Sequence, residues 1–213
     1  RAIVVVHYAG VCCEMEKILK IAKKNNLIVI EDAAQALGSK YKNKIPGTIG
    51  DFGAISLHHT KNIQCGEGGI FLYKKNKYKI PAGSIIEKGT NRNEFINGNV
   101  NKYEWQNLGS SYVLSDLQKA FLYSQLKRIE EISQTRRYIC DKYNEGFFDL
   151  EQEGLIKRCK VPVNCTPNGH IYFILLSKSL NRERIIQNLR KIKISATSHY
   201  EPLHLSPAGK KLG

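Results

Sequence analysis

The sequence predicts an α/β protein with a mostly parallel sheet, followed by part of a smaller α/β domain. Two apolar runs, Ile3–Val6 and Leu27–Ile30, flank residues 14–25, where apolar positions recur at helical spacing. A strand, a helix and a strand in this order and of this length are typical of a parallel βαβ unit. Both runs are continuous rather than alternating, which indicates strands buried on both faces. A later strand–helix–strand pattern predicts the second domain, and we expect the two domains to span residues 1–148 and 149–213.

The remaining elements are predicted from the same two periodicities. We expect strands at 54–57, 66–73, 172–176 and 194–199, and helices at 115–147 and 181–191. Pro81-Ala82-Gly83 is expected to interrupt a helical stretch. Residues 89–109 form a long polar loop, and such a loop in a compact domain is usually functional or disordered.

Composition and charge narrow the classes of protein. The chain has 213 residues and is 42% hydrophobic, which is enough to fill a core, and it has no apolar run of about eighteen residues that would span a bilayer. The net charge of +14 suggests an anionic partner, such as nucleic acid, a membrane surface or a phosphorylated small molecule. Because the charge is spread along the chain without interleaved aromatic residues, we expect neither nucleic acid nor a membrane as the partner.

The cysteines and the chain ends carry two further expectations. Six cysteines occur without a CxxC pair, which is neither a zinc pattern nor the framework of a small secreted domain. We therefore expect reduced thiols and a cytoplasmic protein. The chain begins at Arg1, directly before an apolar run, and stops soon after the polar turn at 206–209, so we expect a fragment that lacks an N-terminal part and the C-terminal end.

Asp32 is the first candidate for chemistry. Glu31 and Asp32 follow a predicted strand, and open α/β sheets bind ligands at the carboxyl ends of their strands. A carboxylate in this position is often a helix cap or an ion-pair partner. However, two small residues separate Asp32 from Gln35, and small residues let a flat ring approach the backbone. A carboxylate can also hold a pyridinium nitrogen protonated.

Lys61 is the second candidate. A lysine amine becomes a useful nucleophile when it is deprotonated, and its particular use is a Schiff base with a carbonyl group. The alternative is a surface lysine, of which this chain has many. Lys61 follows a predicted strand and precedes the glycine-rich stretch Gly66–Gly69, while Ser56, five residues earlier, could donate its hydroxyl to a phosphate.

Histidines form two further clusters. His58 and His59 could bind a metal, but no third ligand stands at a suitable spacing, so we expect no metal site. The stretch from His199 to His204 is either a strand end that turns at Pro202 or the wall of a polar substrate pocket. Both interpretations of this second cluster stay open.

One stretch carries a family resemblance. Residues 31–69, EDAAQALGSKYKNKIPGTIGDFGAISLHHTKNIQCGEGG, resemble the DegT/StrS-type sugar aminotransferases, which are pyridoxal-phosphate enzymes of the aspartate aminotransferase-like fold type I. The resemblance extends over the whole chain and includes the spacing from Asp32 to Lys61. It implies a three-layer α/β/α domain with a mostly parallel sheet and pyridoxal 5'-phosphate as the cofactor. A related branch of dehydratases has histidine in place of the lysine, so Lys61 favours transamination.

The resemblance also implies a substrate class. Residues 87–126 are similar to members that transfer the amino group of L-glutamate to the C4 oxo group of a TDP-4-oxo-6-deoxy sugar for surface-glycan biosynthesis. It implies a homodimer for the full-length protein. The alternatives are a truncated non-catalytic remnant, half of a split enzyme, or an enzyme for another nucleotide sugar. Because the resemblance places part of the cofactor pocket outside this chain, we expect weak or no cofactor binding by the chain alone.

The roles that the resemblance implies can be assigned residue by residue. Lys61 forms the Schiff base and moves the proton, Asp32 pairs with the pyridine nitrogen, and Gln35 lies beside the ring and its 3-hydroxyl. Ser56 binds the cofactor phosphate, and Ser111 stands where many members have an asparagine that reaches the phosphate in the neighbouring subunit.

The same resemblance implies a nucleotide-sugar site. The loop from Gly89 to Tyr103, with Lys102 and Tyr103, and the predicted strand with His199 and Tyr200 line this site.

Overall fold

The computed structural model describes residues 1–212, which divide into two compact units. The first unit consists of Arg1–Phe147 and Cys159–Phe173, and the second consists of Phe148–Arg158 and the residues from Ile174 onward. Residues 159–173 therefore fold with the N-terminal part of the chain. The two domains predicted for residues 1–148 and 149–213 are domains of a whole protein, and this boundary stays a prediction.

The strands and helices are numbered in chain order. The strands are β1 (Ala2–Val6), β2 (Ile28–Asp32), β3 (Lys40–Tyr41), β4 (Phe52–Ser56), β5 (Gly69–Tyr73), β6 (Ile156–Arg158), β7 (Cys165–Thr166) and β8 (Ile174–Leu176). The α-helices are α1 (Met15–Lys24), α2 (Lys79–Ile86), α3 (Arg92–Ile96), α4 (Asp116–Leu126), α5 (Ile129–Gly146), α6 (Phe148–Gln152), α7 (Arg182–Lys191) and α8 (Pro207–Leu212).

The first unit is built on a four-stranded sheet in the order β1-β2-β4-β5. Strands β1, β2 and β4 are parallel, and β5 returns antiparallel to β4. The predicted βαβ unit is confirmed, since α1 connects the parallel strands β1 and β2. Because Val6 lies opposite Asp32 and Asp32 lies opposite Ala54, the carboxyl ends of these three strands meet at one edge of the sheet.

The main hydrophobic core lies between α1 and the sheet. Met15 at the start of α1 is fully buried and packs in one cluster with Val5 of β1 and Val29 of β2. Lys23 and Lys24 fall in the last turn of α1, where positive charge interacts favourably with the helix dipole. On the edge strand β1, Val4 and Val6 are 63% and 47% exposed, so one face of this strand is open to solvent.

A buried carboxylate holds the turn before β4 against β2. Glu31 is fully buried, and its side chain accepts hydrogen bonds from the backbone N–H groups of Gly47, Ile49 and Gly50. It also accepts one from His7 Nε2 at 2.8 Å. The other ring nitrogen of His7, Nδ1, accepts the N–H of Cys13, so the ring is satisfied as the Nε2–H tautomer. This network secures the residue that precedes Asp32.

The close approach of Gly53 to the Gly47 turn leads to a stability prediction. A Cβ at Gly53 would lie 2.0 Å from the carbonyl oxygen of Gly47. This oxygen belongs to the backbone, so it cannot rotate away as the end of a side chain could. We expect Gly53→Ala to lower the free energy of unfolding, measured in urea, by about 3 kcal/mol, the upper end of the cost of overpacking. The control is Gly146→Ala in α5, where a Cβ meets nothing within 4 Å. Equal urea midpoints for Gly53→Ala and the unchanged protein would contradict the close approach of Gly53 to Gly47.

The predicted helix at 115–147 is wrong in one respect, because it is two helices. Ser115 and Gln118 form a capping box at the start of α4, and the chain leaves helical geometry at Arg128. No glycine or proline causes this break. Leu122 of α4 and Ile132 of α5 both pack against one buried cluster around Leu57, and the bend lets both helices reach it.

Three other local predictions are corrected by the structure. Pro81 lies inside α2 rather than interrupting it, because a proline in the first turn of a helix gives up no internal hydrogen bond. The long loop at 89–109 contains the short helix α3. Within the described residues, the stretch 194–199 is not a strand, since it pairs with no neighbouring strand and an isolated strand is not stable.

The second unit is smaller. Strands β6 and β8 pair antiparallel, with Ile156 opposite Leu176. The helix α7 begins after Asn181, whose side chain accepts the N–H of Arg184 at 2.9 Å as an N-cap. Across residues 1–212, every helix is too short or too polar to cross a lipid bilayer.

Candidate active site

Lys61 lies on a tight loop between β4 and β5. The loop is closed by backbone hydrogen bonds from Leu57 to Gly68 and from Cys65 to Leu57, at 2.9 and 2.8 Å. Ile63, two residues after the lysine, is 1% exposed and packs in the cluster with Leu57. The hydrogen bonds and the packing of Ile63 therefore fix the backbone of this loop, including Lys61.

The Lys61 side chain lines a small cavity of the first unit. The cavity also takes in Gln35, Ser56, Asn62, Asn168 and His170, with apolar residues between them. None of its lining residues is acidic, and Lys61 Nζ forms no hydrogen bond or ion pair with any residue between 1 and 212. A lysine that is half-buried without a carboxylate partner is unlike a structural ion-paired lysine, and its amine is available for chemistry.

Asp32 stands at the end of β2, on the same sheet edge. Its Oδ1 accepts the backbone N–H of Ala34 at 3.0 Å, which orients the carboxylate, and its Oδ2 has no hydrogen-bond partner in the described part of the chain. Ala33 is fully buried, so the backbone here carries no bulky side chain. The carboxylate thus keeps one oxygen for a ligand.

Gln35 and Ser56 are oriented by local hydrogen bonds. Gln35 Oε1 accepts the N–H of Ala9 at 2.7 Å, which leaves the Nε2 donors of the amide for another partner. Ser56 Oγ accepts the N–H of His58 at 3.3 Å, which leaves its hydroxyl proton free to be donated. Both side chains line the cavity with Lys61.

The chemistry of the four side chains suits the groups of pyridoxal phosphate. Lys61 would supply an amine for its aldehyde, Asp32 a carboxylate for its ring nitrogen, and Gln35 an amide donor beside its ring. Its phosphate requires hydroxyl and N–H donors, and Ser56 offers one on the neighbouring strand. Parallel strands that end at one edge place these groups on a common side of the sheet, where α/β proteins bind ligands.

Asp32 is not among the residues that line this cavity, and the other predicted site residues lie outside it as well. Ser111 is exposed and its backbone bridges to Glu87. Tyr103 is 53% exposed and contacts the ring of Phe95, while the carbonyl of Lys102 accepts a hydrogen bond from Asn91. In the second unit, His199 and Tyr200 are both exposed and form an edge-on ring contact. Their predicted roles stay predictions.

The structure places a third candidate metal ligand beside the His58-His59 pair. Glu67 reaches the two histidines across the loop, and one ligand atom from each of the three residues lies within 4.8 Å of the others. The spacing along the chain did not indicate this residue. His58 Nε2 is 3.5 Å from Glu67 Oε1, so the two pair when the histidine is protonated. The absence of a metal here stays a prediction.

Three polar residues of the cavity were missed by sequence analysis. Asn62 follows the lysine directly, but Asn168 and His170 arrive from more than a hundred residues later. Asn168 is 1% exposed and its Nδ2 donates to the carbonyl oxygens of Gln35 and Leu37, both at 2.8 Å. The polar turn from Pro167 to His170 before an apolar stretch was a visible signal, but nothing in a single sequence links it to Lys61.

A larger cavity of about 310 Å³ lies elsewhere in the first unit. It lies between α5 and residues 159–172, and Arg137, Asp141 and Asn144 contribute its polar groups. None of the predicted site residues lines it. Lys61, Gln35 and Ser56 line the smaller cavity instead, so the predicted chemistry of these residues stays a prediction about that cavity.

The fold is that of a class of protein, the pyridoxal-phosphate-dependent transferases. All 213 residues match the DegT/DnrJ/EryC1/StrS aminotransferase family, and the chain belongs to this family. The predicted α/β fold is confirmed by the solved structures of this family, and the predicted cofactor is confirmed for the family, whose members use pyridoxal phosphate.

Relatives and solved structures agree with this assignment. The chain is 37% identical to the uncharacterized protein MJ1066 of Methanocaldococcus jannaschii, and the match covers 99% of this chain and 55% of MJ1066. It is 31% identical to the UDP-4-amino-4,6-dideoxy-N-acetyl-beta-L-altrosamine transaminase of Campylobacter jejuni, over 99% of this chain and 54% of the relative. The PLP form of the putative sugar aminotransferase Spr1654 from Streptococcus pneumoniae superposes with a TM-score of 0.86 at 26% identity, over 100% of this chain and 58% of that one. The chain spans about half the length of the relatives that it matches.

Proposed function

We propose that the whole protein transfers the amino group of L-glutamate to the C4 oxo group of a nucleotide-linked 4-oxo-6-deoxy sugar, with TDP as the nucleotide. The observation that carries this proposal is the unpaired Lys61 amine on the sheet edge that also bears the half-free carboxylate of Asp32. The relative from Campylobacter jejuni is named for a 4-amino-4,6-dideoxy sugar, which supports a sugar aminated at C4 as the product class. The choice of TDP rests on the resemblance of residues 87–126.

Each residue of the site has a part in this chemistry. When bound, pyridoxal phosphate supplies an electron sink that stabilises negative charge on the carbon next to the reacting nitrogen. Lys61 Nζ would hold the cofactor through its aldehyde and, when free, would accept and return a proton. The carboxylate of Asp32 would keep a proton on the ring nitrogen, Gln35 would donate to the 3-hydroxyl, and the hydroxyl of Ser56 would donate to the phosphate.

The substrate contacts of this proposal come from the exposed residues. The cation of Lys102 suits the diphosphate of a nucleotide sugar, and Tyr103 offers a ring face for its base or its sugar. A net charge of +14 also favours the approach of a doubly anionic diphosphate.

A second copy of the chain is part of the proposal. Apolar side chains are exposed along the segment from Trp105 to Phe121, including Leu108 at 87% and Leu117 at 85%. A surface of this kind is typical of a protein–protein interface. In a homodimer Ser111, which lies in this segment, would reach the phosphate bound by the other copy. The six cysteines are all free thiols, which suits the cytoplasm.

The test of the proposed function is an amino-transfer assay on the whole protein with added cofactor. L-Glutamate and the TDP, UDP or GDP form of a 4-oxo-6-deoxyhexose are supplied, and the amino sugar is measured by mass spectrometry. We expect transfer to be at least about tenfold faster with TDP, because a pocket built to hydrogen-bond one base leaves polar groups unpaired with another. A faster reaction with UDP or GDP would reassign the nucleotide. No transfer with any of the three would support a non-catalytic remnant.

A further inference from the structure

Asn91 holds the backbone of the stretch from Lys102 to Glu104. Its Nδ2 donates to the carbonyl oxygen of Lys102 at 2.9 Å, and its Oδ1 accepts the N–H of Glu104 at 2.8 Å. Its own backbone N–H donates to the carbonyl oxygen of Glu104 at 3.1 Å. In the described part of the chain, these three are all the hydrogen bonds that the backbone of residues 102–104 forms. One asparagine therefore determines where this stretch lies.

Asn91 gives up the usual role of an asparagine in its position. It directly precedes α3, where an asparagine normally caps the helix by accepting an N–H of the first turn. No such cap forms, because Oδ1 is bonded to Glu104, thirteen residues later. Asn181, which directly precedes α7, does cap its helix. Asn91 is only 7% exposed, so its amide is committed to the distant stretch in a site away from water.

The stretch that Asn91 holds carries two side chains without polar partners. Lys102 and Tyr103 are both exposed, and within residues 1–212 neither the Lys102 ammonium group nor the Tyr103 hydroxyl forms a hydrogen bond or an ion pair. The ring of Tyr103 lies 6.2 Å from the ring of Phe95 on α3, measured between centroids. A cation and an aromatic ring on a fixed backbone suit the phosphates and the flat base of a nucleotide. A backbone that is ordered in advance also lowers the entropy that binding must overcome.

We propose that Asn91 is a positioning residue for the nucleotide-sugar site: it orders residues 102–104 before the ligand arrives, so that Lys102 meets the diphosphate and Tyr103 meets the base or the sugar. Asn91 is buried and acts through these two residues rather than by touching the ligand. The identity of the ligand rests on the proposed function, whereas the hold of Asn91 on residues 102–104 does not.

The first experiment is hydrogen exchange of the whole protein, followed by mass spectrometry on the peptide that contains residues 102–104. We expect Asn91→Ala to speed exchange of the Glu104 amide at least about tenfold, because this N–H loses its acceptor. The matched control is Asn25→Ala at the end of α1, which removes another asparagine side chain bonded to a backbone carbonyl, that of Ile21. It should leave the exchange of this peptide unchanged. Equal exchange in the two variants would overturn the inference.

The second experiment measures the binding of TDP, UDP and GDP to the whole protein by calorimetry. For the nucleotide that binds most tightly, we expect Asn91→Ala to raise the dissociation constant at least about tenfold, because residues 102–104 must then be ordered on binding. Asn91→Asp keeps the acceptor for Glu104 and loses only the donor to Lys102, so its effect should be smaller. Asn25→Ala should bind like the unchanged protein. Equal dissociation constants for Asn91→Ala and the unchanged protein would overturn the proposal.

The third experiment separates the two substrates of the proposed function. We expect Asn91→Ala to raise the KM for the nucleotide sugar at least about tenfold. The formation of 2-oxoglutarate from L-glutamate, measured with no sugar present, should stay unchanged, because the nucleotide takes no part in it. An equal loss in both reactions would mean that the substitution damages the fold, and the positioning role would be wrong.

The outcomes distinguish this inference from the proposed function. If the unchanged protein binds none of the three nucleotides, the proposed nucleotide-sugar substrate and the positioning role of Asn91 both fail. If it binds one of them and Asn91→Ala binds that nucleotide equally well, the proposed function stands and only this inference fails.

Discussion

In the whole protein, we expect Lys61→Ala to abolish the covalent capture of pyridoxal phosphate. After borohydride reduction, peptide mapping should find the cofactor on Lys61 in the unchanged protein and nowhere in the variant. Amino transfer should fall by at least about 100-fold, since the variant loses both the covalent anchor and the group that moves the proton. Because Lys61 Nζ has no hydrogen bond or ion pair within residues 1–212, its removal should leave the free energy of unfolding nearly unchanged.

The control for this prediction is Lys20→Ala, which removes an equally basic side chain from the exposed face of α1. It should retain full capture and full transfer. Cofactor found on other lysines as often as on Lys61 would mean that capture is non-specific, and the assignment of the active site would then be wrong.

The second large effect is expected at Glu31. Glu31→Ala leaves the N–H groups of Gly47, Ile49 and Gly50 and the Nε2–H of His7 without their acceptor in a dry interior. Each buried donor left unpaired costs about 1–3 kcal/mol, so we expect the free energy of unfolding in urea to fall by at least about 3 kcal/mol. Glu31→Gln keeps the shape and one acceptor oxygen, and its loss should be intermediate.

Glu67→Ala is the matched control for Glu31, because the side chain of Glu67 is 79% exposed. We expect its free energy of unfolding to stay within about 0.5 kcal/mol of the unchanged protein. A loss at Glu31→Ala as small as this would contradict the view that Glu31 holds the turn before β4.

The stability should also depend on pH through Glu31. Burial opposes the charged carboxylate, but hydrogen bonds from His7, Gly50 and Gly47 outweigh it and hold the pKa of Glu31 below its ordinary value. A lowered folded-state pKa means that the stabilisation is present above the ordinary carboxyl pKa and is lost as the pH falls through the folded value. Urea midpoints should therefore fall on acidification more in the unchanged protein than in Glu31→Gln.

Several features of this protein could be predicted from local pattern. Continuous apolar runs on either side of an amphipathic helix predicted β1, α1 and β2, because a βαβ unit is a local arrangement with a local signal. Asp32 and Lys61 were predicted as site residues because strand ends in such a sheet are where ligands bind, and the family resemblance of the stretch that contains them indicated the cofactor. The break between α4 and α5 was not predictable, since it depends on the cluster around Leu57 that both helices contact.

The sequence by itself determined the class of fold, because strands and helices depend on residue types at short and regular separations. The resemblance of residues 31–69 determined the family and led to the predicted site residues. Only the tertiary structure decided what surrounds Lys61. It brought Asn168 and His170 to the cavity from a distant turn, and it separated the roles of Glu31 and Asp32, one buried in a network of donors and the other half-free at the site. Contacts of this kind depend on how distant segments pack, and no periodicity along the chain records them.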